Sequence, residues 1–157
     1  MKSITVCFTG HRTIPSGEKE VISKRLEDVL NLLVNKGYKN FVAGGALGFD
    51  TLAAEKVLKL RKIYPDVKLI LALPCLSQTN GWRFLDKMKY EDIKNKADEV
   101  VYTSEKYDRG CMFKRNRYMV DRSSVCICYL TKETGGTAYT VKYAKQKNLE
   151  IISLCDD

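Results

Sequence analysis

Short apolar runs alternate with amphipathic stretches along the whole chain, and this alternation restricts the fold more than any other feature. Residues 4–8, 40–43, 67–73, 99–103, 124–130 and 150–154 read as strands. The run 67–73 is apolar almost continuously, as in strands buried on both faces. The first intervening stretch places Ile22, Leu26, Val29, Leu30 and Leu33 on the 3.6-residue period of a helix. Ser16 is its expected N-cap, and Gly37 the expected residue just past its C-cap. A second helix after Asp50 buries Leu52, Ala53, Val57 and Leu60, and further helices are expected over 82–97, 111–121 and 138–146.

Strands alternating with helices predict an α/β fold: a single Rossmann-like domain over residues 1–157, with a doubly wound, mainly parallel sheet flanked by helices. At 157 residues a chain buries roughly 70% of its unfolded surface, enough for one well-formed core. The expected strand order is 3-2-1-4-5-6. That order brings the loops 9–12, 44–50, 104–117 and 134–137 to one crevice.

Those loops carry most of the glycines and the single histidine. In the stretch Val42-Ala43-Gly44-Gly45-Ala46-Leu47-Gly48-Phe49-Asp50-Thr51, a strand runs through a glycine turn into a helix. Backbone N–H groups and a helix N-terminus at such a turn form an anion cradle; the alternative is a tight turn needing no ligand. Asp50 or Thr51 is the expected cap of the following helix. Gly135-Gly136-Thr137 repeats the construction, with the threonine hydroxyl as a further donor. In Thr9-Gly10-His11-Arg12, Arg12 suits bidentate pairing with phosphate, and Gly10 admits close approach. His11 is either a general base or a hydrogen-bonded residue at a strand end. Arg115 and Asn116 are candidates for phosphate or ribose, whereas Arg117 reads as a solvated helix charge. Gln78 and Trp82 either flank a base or, for Trp82, pack as an aromatic.

Composition narrows the classes. No apolar run approaches the roughly 20 residues that span a bilayer, so the expectation is a soluble, cytoplasmic protein with no membrane partner. Six cysteines lie mostly in apolar runs, without a Cys-x-x-Cys pair and beside one histidine, so structural thiols are expected rather than a zinc site or disulfides. The net charge of +8 favours anionic partners.

Together, Thr9-Gly10-His11-Arg12, Gly44-Gly45-Ala46-Leu47-Gly48-Phe49-Asp50, Gln78…Trp82, Arg115-Asn116…Met119-Val120…Ser123 and Gly135-Gly136-Thr137-Ala138-Tyr139-Thr140 resemble the SLOG superfamily, in particular its YpsA-like branch. The resemblance covers nearly the whole chain. It implies a Rossmann-like fold that binds a nucleotide-derived ligand, among relatives that include DprA-type DNA-processing proteins and cytokinin-activating phosphoribohydrolases. The phosphoribohydrolase branch carries Pro-Gly-Gly-x-Gly-Thr-x-x-Glu; here the run from Thr134 to Lys142 has no carboxylate, and Asp50 is the candidate stand-in.

The resulting expectation is a binder of a nucleotide-type small molecule, with ADP-ribose-related ligands included, acting as sensor, sponge or regulator. The alternatives are N-glycosidic hydrolysis of a nucleoside monophosphate, with Asp50 catalytic, and single-stranded nucleic-acid binding. A homo-oligomer is expected; no bound cofactor or metal is.

Overall fold

A computed structural model describes residues 1–155 of the chain. After a 3-10 turn at Lys2–Ile4 come β1 (Thr5–Gly10), α1 (Ser16–Asn35), β2 (Asn40–Ala43), α2 (Phe49–Arg61), β3 (Lys68–Leu73) and α3 (Phe84–Lys96). Then follow β4 (Glu99–Tyr102), α4 (Cys111–Asp121), β5 (Val125–Tyr129), α5 (Gly136–Gln146) and β6 (Glu150–Ser153). All strand pairings are parallel, and the expected α/β sandwich is present.

The strand order is β4-β3-β2-β1-β5-β6, which corrects the expected 3-2-1-4-5-6. β4 lies outside β3, and β5 takes the place beside β1. The residues suit these positions. All five residues of β5 are buried, as an inner strand requires, whereas β4 is nowhere fully buried and begins at the exposed Glu99. The chain thus builds outward from β1 to β4, returns through α4 across the other face, and resumes at β5.

The two faces carry separate cores. One packs Ile22, Leu26, Leu30 and Leu33 of α1 with Phe49, Leu52, Val57 and Leu60 of α2 and Tyr90 and Ile93 of α3. The other packs Met119 and Val120 of α4 and Ala144 of α5 on Cys7, Val42, Ala72 and Cys126. Phe8, Phe41, Phe49 and Tyr129 pack ring against ring in the first core: Phe8 stacks on Phe41 at 6.2 Å and Phe49 on Tyr129 at 6.0 Å, and Phe8 meets Phe49 edge-to-face at 6.4 Å. Each such buried ring contributes about 1.5–3 kcal/mol of transfer free energy.

The end of α1 follows the expected glycine stop. Gly37 has φ 101°, its N–H bonds Val34 O at 3.0 Å, and the Tyr38 N–H bonds Leu33 O at 3.1 Å, a Schellman pair. Two expected caps are corrected. Ser16 is the first helical residue of α1, after Pro15, and caps nothing through its side chain. α2 starts at Phe49, so Asp50 and Thr51 lie inside the first turn, after Gly48.

Cys7, Cys75, Cys111, Cys126 and Cys128 are buried thiols outside any disulfide, and Cys155 is half-buried. Burial pushes the Cys128 thiol up to about 11, which keeps it an unreactive small hydrophobe. Among the described residues, no helix is long and apolar enough to cross a membrane.

Candidate functional site

The sheet changes direction of build between β1 and β5, and a cleft of about 410 Å³ opens above their C-terminal ends. It is lined by Thr9, Gly10, His11 and Arg12 after β1, Asp50 of α2, and Arg115 and Asn116 of α4. Gly135, Gly136 and Thr137 complete it at the start of α5. These expected residues therefore converge. Of the expected loop 104–117, residues 104–111 do not line the cleft, because β4 stands at the sheet edge; Met112, Arg115 and Asn116, which lie on α4, do.

Gly44, Gly45 and Gly48 do not line the cleft. A Cβ on Gly44 would lie 2.6 Å from Arg115 Nη1 and 2.8 Å from Asp50 Oδ2. A Cβ on Gly48 would collide with the Arg12 carbonyl, and its φ of 75° is itself a glycine conformation. The close approach lets the Phe49 N–H bond His11 O at 3.0 Å, which pins the turn after β1 to the start of α2. Gln78 and Trp82 also lie away from the lining. Trp82 packs edge-to-face on Tyr90 at 5.5 Å. Gln78 is buried beside Gly45, its Oε1 3.4 Å from where a Cβ would stand.

Two buried residues of opposite charge, Asp50 and Arg115, stand in the cleft floor. Arg115 donates through Nη1 to Gly44 O and through Nε to Asn116 Oδ1 at 2.9 Å, joining α4 to the end of β2. Asp50 Oδ2 accepts the Ala46 N–H at 3.2 Å. Burial raises the Asp50 pKa, opposed first by Arg115, then by the Ala46 N–H and Arg12. Burial likewise lowers the Arg115 pKa, and Asp50 holds it up. Each buried group is held by its hydrogen bonds and by the opposite charge of the other.

His11 adopts the strand-end role. Its Nε2 accepts the Thr131 N–H at 2.8 Å, tying the end of β1 to the loop after β5, and its ring lies edge-to-face on Tyr129 at 5.7 Å. Burial, then Lys132, lowers its pKa, which favours the neutral ring this bond needs.

The opposite wall is open and electropositive. Gly135, with φ 99°, precedes α5; there is neither a side-chain cap bond nor an acidic residue in the first turn. The first helical bond runs from Tyr139 N to Gly135 O, so the N–H groups of residues 136–138 have no partner within the helix. A Cβ on Gly135 or Gly136 would meet nothing within 4 Å. Arg12 and Lys132, both exposed, stand on this cleft. Lys132, Met112 and Thr134 are lining residues that sequence reasoning did not single out. Met112 and Thr134 lie within the loops 104–117 and 134–137 expected at the crevice, whereas Lys132 lies outside them, two positions before Thr134.

A family model described as the YspA SLOG family matches residues 7–153. The chain belongs to this SLOG family. A UPF0398 protein of Bacillus thuringiensis (strain Al Hakam) is 34% identical over 131 residues, which cover 82% of this chain and 71% of that protein. A UPF0398 protein of Bacillus cereus (strain AH820) is 33% identical over the same length. In three dimensions this SLOG chain is similar to DNA processing protein A from Helicobacter pylori, whose structure is described for its single-stranded DNA binding mode. The TM-score is 0.69 at 22% identity, covering 98% of this chain. It is also similar to DNA processing protein A from Streptococcus pneumoniae, with TM-score 0.67 at 16% identity over 95% of this chain. The chain spans 66% and 49% of those two proteins, and likeness at this identity concerns the fold.

Proposed function

We propose that the cleft binds a nucleotide-derived small molecule, phosphate first, with ADP-ribose-type ligands among the candidates, and that the protein acts as a sensor, sponge or regulator. The observation that carries this reading is the start of α5: unpartnered N–H groups, no side-chain cap, no acidic residue in the first turn, and Arg12 and Lys132 on the same cleft. A phosphate there satisfies the free donors and meets the positive end of the helix dipole. Asn116, Thr9 and Thr134 supply neutral hydrogen-bonding groups of the kind a ribose uses. The hydrolase reading has less support, since Asp50 is the only carboxylate among the lining residues and is already engaged by Ala46 and Arg115.

Native mass spectrometry of freshly purified protein tests for a co-purified nucleotide, and calorimetry with AMP and ADP-ribose tests the placement. Arg12→Ala should weaken binding by about 1.5–3 kcal/mol, the range of a charge-assisted hydrogen bond, with little change in stability. Unchanged affinity in both Arg12→Ala and Lys132→Ala would remove the ligand from this wall. Robust nucleotide hydrolysis by the wild type, abolished in a folded Asp50→Asn variant, would move the protein to the enzyme class.

A further inference from the structure

The outer ridge formed by α4 and α5 has a composition unlike the rest of the surface. Phe113 and Tyr139 are each 38% exposed although their rings meet edge-to-face at 4.6 Å. Tyr143 continues the row, nearly parallel to Tyr139 at 6.5 Å. Cations stand among the rings. Arg117 donates to the Tyr139 hydroxyl at 3.1 Å, and Lys147 lies 5.5 Å from the Tyr143 centroid.

Charge is segregated on the same elements. α5 contains no acidic residue, and α4 contains only Asp121, whose carboxylate accepts the Tyr143 hydroxyl at 2.7 Å. On the other face α1 and α3 mix acids with their lysines throughout. The ridge starts at the cleft mouth, since Met112 and Thr137 line the cleft beside Phe113 and near Tyr139.

From this geometry we infer that the α4–α5 ridge is a docking track for single-stranded nucleic acid, separate from the mononucleotide cleft. Exposed rings offer π-faces on which unpaired bases stack, and the interleaved guanidinium and ammonium groups match a phosphate backbone. An acidic protein would meet the charge but leave the rings without purpose. A duplex would meet the charge while keeping its bases inside.

The test is fluorescence anisotropy with labelled oligothymidylates of roughly 5, 10 and 20 nucleotides, spanning the site sizes common for such tracks. Wild-type affinity should rise with length and fall steeply with salt. Tyr139→Ala should weaken binding by roughly tenfold, the scale of one lost stacking contact. Tyr139→Phe, which keeps the ring and loses the hydroxyl, should stay close to wild type. Thermal melts check that Tyr139→Ala is folded, and its AMP calorimetry should match wild type, so ridge and cleft are scored apart. The inference is overturned by absence of oligonucleotide binding, by equal affinity for duplex, or by loss in Arg12→Ala with none in Tyr139→Ala.

Discussion

The turn after β2 and the turn after β5 each contain adjacent glycines and each lead into a helix, yet their surroundings are opposite. Around Gly44 the space is taken by Arg115 and Asp50, and around Gly45 by Leu73, whose Cδ2 lies 2.5 Å from where a Cβ would stand. Around Gly135 and Gly136 the space is empty. The helix ends differ in the same way. α2 carries Asp50 in its own first turn, a carboxylate at the positive end of its dipole, whereas α5 has no acidic residue there. The glycine turn whose helix brings its own anion is a packed joint; the one whose helix lacks an anion is the open turn on which the proposed phosphate site rests. The pattern of glycines alone does not distinguish them.

The largest effect should come from the joint. Arg115→Ala removes the cation that most offsets the burial of Asp50 and leaves Gly44 O without its donor. Urea denaturation should show a loss of about 3–5 kcal/mol, the usual cost of breaking a buried charge pair. Gly44→Ala should cost about 1–3 kcal/mol through overpacking against Arg115 and Asp50. Gly136→Ala, by contrast, should stabilise by about 0.4–1 kcal/mol, since it restricts the unfolded chain at a position with open space. If the two alanine variants melted alike, the distinction between joint and site would fail.

The smallest effect concerns the tie between the two turns' neighbourhoods. The His11 pKa is lowered from 6.5 in the folded protein, so the unfolded chain binds the proton more readily. Its contribution is complete above the unfolded value and is lost as pH falls through that value toward the folded one. A small fall in Tm on acidification below about pH 6.5 should appear in wild type and shrink in His11→Gln, which keeps an acceptor for the Thr131 N–H. An unchanged pH profile in His11→Gln would show that His11 is not the group responsible.

Much of this architecture is legible in the residues. β2 spans Asn40–Ala43 and α4 spans Cys111–Asp121, the expected residues, because each is bounded by unambiguous polar or glycine breaks. Strand order was not legible, since periodicity tells which face is buried but not how far a crossover carries the chain sideways. The edge position shows only in the half-exposed residues of β4, whose sequence Glu99-Val100-Val101-Tyr102 reads much like an inner strand. Caps failed for a related reason: Ser16 and Asp50 have capping side chains, but each helix starts earlier than its apolar pattern. The candidate site was legible as a set of loops. Which glycines face a cavity and which face Arg115 depends on contacts between residues as far apart as 44 and 115, and local pattern does not encode them.

The bond between His11 and Thr131 links residues separated by 120 positions, and Arg115 reaches Gly44 across 71. During translation, which adds about 5–20 residues per second, β1 and its turn emerge many seconds before the loop that completes the cleft. The nascent amino-terminal half therefore leaves the ribosome with Asp50 made and its arginine not yet synthesised. The cleft itself is incomplete in that intermediate, because its α5 end is among the last segments to be made.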